Sequence, residues 1–129
     1  MLIALVLVVT SQTAVAEASE PPALNVELSP PIITADGGSQ EIAVVQLETG
    51  NGYPYMAQRD VTVYLASSDL DVGLVDETVV VPAGRSYAKA SFNASYNSGM
   101  SVITATAAGF TTDEAIIQSV RSDFAPLRV

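Results

Sequence analysis

The chain has 129 residues, no cysteine, no histidine and no tryptophan, and 14 acidic against 5 basic residues give it a formal net charge of −9. Without thiols or imidazoles it has no disulfide framework, no thiolate or imidazole metal site, and neither a Ser–His nor a Cys–His catalytic pair. An acidic surface repels phosphate backbones and anionic lipid headgroups, which excludes nucleic acid as a partner. The missing tryptophan argues against a sugar-stacking lectin site.

Leu2 to Val9 form an unbroken apolar run, far short of the ~20 residues that span a bilayer. Thr10-Ser11-Gln12-Thr13 and then Ala14-Val15-Ala16 follow it, small residues of the kind a signal peptidase accepts. Residues 1–18 are therefore expected to be a signal peptide, although no basic residue precedes the run. Export follows, to a secreted or cell-surface location with no membrane span in the mature chain.

After Pro21-Pro22 the chain alternates short apolar-patterned segments with turn signals. Leu24–Leu28 and Ile42–Glu48 are the first two strand candidates. From Asp60 to Ser67 the alternation is strict, with Val61, Val63 and Leu65 on one face and Thr62, Tyr64 and Ala66 on the other. Thr78–Val81 is a further candidate. Ser86–Ala94 then sets Ala88, Ala90, Phe92 and Ala94 against Tyr87, Lys89, Ser91 and Asn93, and Ser101–Ala107 sets Ile103, Ala105 and Ala107 against Val102, Thr104 and Thr106. Ala115–Val120 is the last. The separators Asp36-Gly37-Gly38, Gly50-Asn51-Gly52, Pro82-Ala83-Gly84, Asn97-Ser98-Gly99 and Ala108-Gly109 are turn chemistry. No window outside the leader keeps a helical period. The fold class expected is all-β: an immunoglobulin-like β-sandwich of about seven antiparallel strands over residues 19–121.

Four stretches in order resemble the prokaryotic surface Ig-like repeats, the group that includes the invasin/intimin-type domains. Ser29-Pro30-Pro31-Ile32-Ile33-Thr34-Ala35-Asp36-Gly37-Gly38-Ser39 is similar to an entry strand that bends at prolines before an Ala-Asp-Gly turn. Val61–Asp69 resembles the central strand with its trailing serines. Val79-Val80-Val81-Pro82-Ala83-Gly84 with Tyr87–Asn93 resembles a strand, turn and second strand carrying an inward phenylalanine. Gly99–Phe110, containing Ile103-Thr104-Ala105-Thr106-Ala107, resembles the closing hairpin. The resemblance covers roughly residues 24–120 and implies a non-catalytic architectural module, strung in tandem as a stalk or spacer, with neighbouring Ig-like domains as its partners. The tail Phe124-Ala125-Pro126-Leu127-Arg128-Val129 echoes Pro22-Ala23-Leu24-Asn25-Val26, so residues 122–129 are expected to be a linker or the first strand of a following repeat.

Site candidates are few. The carboxylate pairs Asp69/Asp71 and Asp76/Glu77 could in principle hydrolyse a glycosidic bond, but they lie between strands with no sign of a pocket, and no catalytic residue or cofactor is expected. Asp69, Asp71 and Asp76 are candidate calcium ligands, because Ser68-Asp69-Leu70-Asp71-Val72-Gly73 sets two hard oxygen donors two residues apart with Asp76 nearby. Asn93-Ala94-Ser95 is an N-glycosylation acceptor on the outward side of its strand. The five tyrosines are read as cross-strand packing on the outer faces in preference to a binding patch. Alternative roles are a filament subunit assembled by strand donation, an adhesin domain for a surface or matrix ligand, and an accessory domain of a larger secreted enzyme.

Overall fold

A computed structural model describes residues 21–121; the expected leader and tail lie outside the described residues. Nine strands follow one another: β1 (Ala23–Leu28), β2 (Ile32–Thr34), β3 (Ser39–Glu48), β4 (Val61–Ser67), β5 (Gly73–Val75), β6 (Thr78–Val81), β7 (Tyr87–Ala94), β8 (Gly99–Thr106) and β9 (Asp113–Val120). They form two stacked sheets, one ordered β1-β3-β7-β5 and the other β2-β9-β8-β4-β6. All pairings are antiparallel except β2 with β9, which is parallel. The all-β sandwich expected from the alternation is the fold of the protein.

The two strands beyond the expected seven are three-residue pieces, too short to show a period. Each is half of a longer strand that changes sheets. On one side the chain leaves the four-stranded sheet as β1, bends through Ser29-Pro30-Pro31, and joins the five-stranded sheet as β2. Proline has no N–H to give to a ladder, so the ladder breaks where the bend is needed. On the opposite side β5 ends at Val75, and after Asp76-Glu77 the chain continues as β6 in the other sheet. Both lateral seams of the sandwich are therefore crossed by a single strand.

Backbone and carboxylate hydrogen bonds stitch these seams. At the first, Leu24 N–H donates to the Thr111 carbonyl at 2.9 Å, and Val26 N–H donates to Asp113 Oδ2 at 2.8 Å. At the second, the crossing residues prolong each sheet's own ladder: Asp76 N–H donates to the Ser91 carbonyl at 3.1 Å and Ser91 N–H to Asp76 Oδ2 at 2.9 Å beside β5–β7, and Leu65 N–H donates to the Glu77 carbonyl beside β4–β6. These donors would otherwise be unpaired strand edges.

Between the sheets lies one apolar core. Val63, Leu65, Phe92, Ala90, Ala94, Ile103 and Ala105 all point inward, as their alternation requires, and Phe92 is the largest fully buried side chain. On β3 the alternation fails, since Ile42 and Ala43 are both buried. The register with β7 slips between Gln40 and Ala43, a bulge that turns two successive residues to the same side. Phe92 is accommodated by Gly73 on the neighbouring β5. A Cβ at Gly73 would lie 2.3 Å from the Phe92 ring and 2.6 Å from the Asn93 carbonyl oxygen. Gly73→Ala should therefore lower the unfolding free energy by about 1–3 kcal/mol, the usual cost of overpacking, read from the urea midpoint; an unchanged midpoint would show that the Phe92 contact is not tight.

Candidate functional site

The strand directions separate the molecule into two poles. The parallel bridge between Ala23 and Thr111 puts the chain entry beside the start of the β8–β9 return, and the pairing of Thr34 with Val120 puts the end of β9 at the far end. The chain enters at one pole and leaves at the other.

At the entry pole the β3–β4 segment is the longest connection. It reverses at Thr49–Tyr53, where Gly52 N–H donates to the Thr49 carbonyl and Thr49 N–H to the Tyr53 carbonyl. It then runs back past β3, Tyr55 N–H donating to the Leu47 carbonyl, and is anchored by buried Ala57, whose N–H and carbonyl bond Arg85 and Gly84 of the β6–β7 turn. The β8–β9 turn closes opposite it, with Gly109 at φ +85°, a conformation that favours glycine. This turn presents Phe110, whose ring meets Tyr55 edge-on at 5.7 Å and 88°. Between the two loops and β4 opens a cleft of about 630 Å³, with Tyr55, Tyr64 and Phe110 as aromatic walls and Gln58, Arg59 and Asp60 as polar groups. Its size falls within the range of small-ligand sites. Asp60 is the one carboxylate in the lining, and its Oδ1 accepts the Ala83 N–H at 2.9 Å. The cleft can therefore offer ring faces and hydrogen-bonding groups, but not a second carboxylate for paired acid–base work.

The exit pole holds Asp69 and Asp71, both in the β4–β5 loop. Asp69 Oδ1 accepts the Asp71 N–H at 3.0 Å, closing the turn on itself. Ser101, fully buried, donates to or accepts from Ser67 Oγ at 2.7 Å and accepts the Asp69 N–H at 3.0 Å. The Asp71 carbonyl accepts from Ser95 Oγ and from Asn97 Nδ2, which ties this loop to the β7–β8 turn. Asp76 is not part of this arrangement, because its carboxylate is the acceptor for Ser91 at the seam. Among the described residues no group of three or more histidine, cysteine or acidic side chains could hold a metal ion, so Asp69, Asp71 and Asp76 are not brought together.

Asn93 is exposed on the outer face of the four-stranded sheet, paired with Leu74 on one side and Ser39 on the other. Of the tyrosines, Tyr64 and Tyr87 stand on outer strand faces as expected, whereas Tyr53 and Tyr55 belong to the β3–β4 segment and Tyr96 to the β7–β8 turn. Tyr96 covers Gly37, where a Cβ would meet its ring at 2.7 Å. The cleft was not legible in the sequence. Its residues come from three separated segments, and the one local cue, Tyr53-Pro54-Tyr55, has no spacing rule that points to a cleft.

No family model matches this sequence, and no curated protein matches it. Solved structures do match in fold. A glycosyl hydrolase family 2 member from Bacteroides cellulosilyticus superposes with a TM-score of 0.61 at 14% identity over 82% of this chain and 15% of that one. Domains 4 and 5 of the S-layer protein SbsC give 0.54 at 17% identity over 84% of this chain and 48% of that one. A beta-glucuronidase of glycoside hydrolase family 2 gives 0.57 at 14% identity over 81% and 12%. The chain thus spans less than half the length of each of these proteins. At such identities the likeness is one of fold: an Ig-like β-sandwich of the kind that occurs as a domain in these hydrolases and S-layer proteins. The invasin/intimin type is not among these three.

The loop chemistry at the exit pole yields a measurable expectation. With Asp69 and Asp76 already serving backbone donors, saturating calcium or excess chelator should move the melting temperature by less than ~1 °C, since a ligand shifts stability only through binding to the folded state. A calcium-dependent rise of several degrees would show that the loop rearranges into a site.

Proposed function

We propose that this chain is a non-catalytic structural module of an exported cell-surface protein, a spacer repeat that contributes length and stiffness between neighbouring Ig-like domains. The observation that carries the reading is the passage of the chain from one pole to the other along β9. Units connected in that way stack head to tail, and each adds its full strand length to a stalk. Closed seams favour the same role, because a spacer must not offer its strand edges to neighbours. For that reason donation of a strand to a filament partner is the weaker alternative. The fold's occurrence as one domain within much longer hydrolase and S-layer chains supports membership of a larger polypeptide. Among the described residues no helix is long and apolar enough to cross a membrane.

An accessory domain of a larger secreted enzyme is the second reading, and the aromatic cleft at the entry pole is the feature that favours it. There the cleft would help hold a substrate or a catalytic neighbour.

An antibody to residues 21–121, used on intact cells and then on denatured surface fractions, tests the spacer reading. The expected result is surface labelling and a band far larger than the 13.4 kDa of this chain. A band near that mass confined to the cell interior would overturn it, and a large secreted polypeptide with hydrolase activity would favour the second reading.

A further inference from the structure

The cleft at the entry pole is built from parts pinned in place. Tyr55 is held by its N–H to the Leu47 carbonyl at 2.8 Å and by its edge-on contact with Phe110, whose own N–H donates to the Ala107 carbonyl at 3.1 Å. Asp60 is fixed at Oδ1 by the Ala83 N–H, which leaves Oδ2 to accept another hydrogen bond. One wall runs along β4 from Val61 to Tyr64, about 10 Å at the ~3.3 Å rise of a strand. Tyr64 stands exposed at the far end of that wall, with Thr78 opposite it on β6 and Thr106 on β8. None of the lining residues is buried, so the cleft is a groove open to solvent and not an enclosed chamber.

We propose that this groove binds an uncharged saccharide chain, its sugar rings lying against Tyr64, Tyr55 and Phe110 and its hydroxyls bonded to Gln58, Arg59 and Asp60. The lining selects the class. Arg59 and Asp60 bring one charge of each sign, and no other charged residue lines the groove, so neither a cation nor an anion meets a net opposite charge there. The field of a molecule of net charge −9 disfavours an anion further. A purely apolar partner would strip water from three consecutive polar side chains and return no hydrogen bond. A peptide has no strand to join, because β4 is already paired on both sides, with β6 and with β8. A pyranose has the chemistry that fits, apolar ring faces edged by hydroxyls that both donate and accept. Arginine donates to those hydroxyls, the carboxylate accepts from them, and the glutamine amide does both. Tryptophan, the broadest stacking surface, is absent from the chain, and two tyrosines and a phenylalanine supply the rings. Because both loops are already pinned, little ordering is lost on binding. The site is independent of the spacer role, since a stalk unit and an accessory domain of an enzyme can each carry it.

Affinity electrophoresis of the full chain in native gels tests this, since a net charge of −9 carries it through a neutral polysaccharide matrix. The probes are soluble β-glucan, xylan and mannan, with alginate as the anionic control. At least one of the neutral polysaccharides is expected to retard the wild type, and the retardation should persist at raised salt, where an ionic contact would be screened. Tyr64→Ala and, independently, Arg59→Ala should each weaken that binding by at least about tenfold. Their urea midpoints should stay at the wild-type value, because both side chains are exposed. Tyr87→Ala, on the outer face of the other sheet, should bind like the wild type. A wild type retarded by none of the neutral polysaccharides overturns the inference. Retardation by alginate alone also overturns it and reduces Arg59 to a bare ionic contact, as does retardation that survives in both groove variants.

Discussion

Two packed sheets have four lateral edges, and every edge is a row of donors and acceptors that must be satisfied or will recruit another chain. In this protein each pair of facing edges is joined by one strand that begins in one sheet and ends in the other. The β1–β2 crossing closes one side and the β5–β6 crossing the other. The remainder of the structure depends on these two crossings. They hold the sheets at a fixed spacing around Phe92, they direct the chain from pole to pole, and they leave the broad faces and the loop clusters as the surfaces available for contact. Two aspartates serve these sides of the sandwich, Asp113 of β9 against the Val26 amide of β1 and Asp76 of the β5–β6 crossing against the Ser91 amide.

Much of the fold follows from residue order. Strict alternation in β4, β7 and β8 assigns inward and outward faces without error, because each of these strands has one face in the core and one in solvent. The Pro30-Pro31 bend was visible as a feature of the entry strand. Where alternation fails, the cause is local. The bulge on β3 buries Ile42 beside Ala43, and β2 and β5 are too short to show a period. The roles of the acidic residues were less legible. A sequence gives spacing, which made Asp69, Asp71 and Asp76 look like one ligand set, but the strand switch at Asp76 sends its carboxylate to a seam while Asp69 closes its own turn. The cleft by Tyr55, Arg59 and Phe110 depends on two loops and the chain entry at Pro22 converging beside β4 at one pole, and that convergence is a property of topology rather than of any one segment.

The sandwich keeps its surfaces apart. The poles carry chain entry and exit, one with an aromatic cleft and the other with a loop tied by Ser101 and Ser95. The four-stranded face is polar and bears Asn93. The five-stranded face exposes Ile32, Tyr64, Val80, Met100 and Ile116 among threonines, Gln118 and Glu114.

The central claim, that the seams are as firmly held as the core, is tested most directly by native-state hydrogen exchange at the Val26 and Ser91 amides. If the strand crossings and their aspartates lock the sandwich, both amides should exchange only through global unfolding, with the same opening free energy as the Val45 amide in the middle of β3. Replacing Asp113 or Asp76 by alanine should then release the Val26 or the Ser91 amide, respectively, to local opening. Exchange of both amides in the wild type at rates typical of the exposed loops would contradict the account, and would show that the sandwich is held by its core alone while its edges fray.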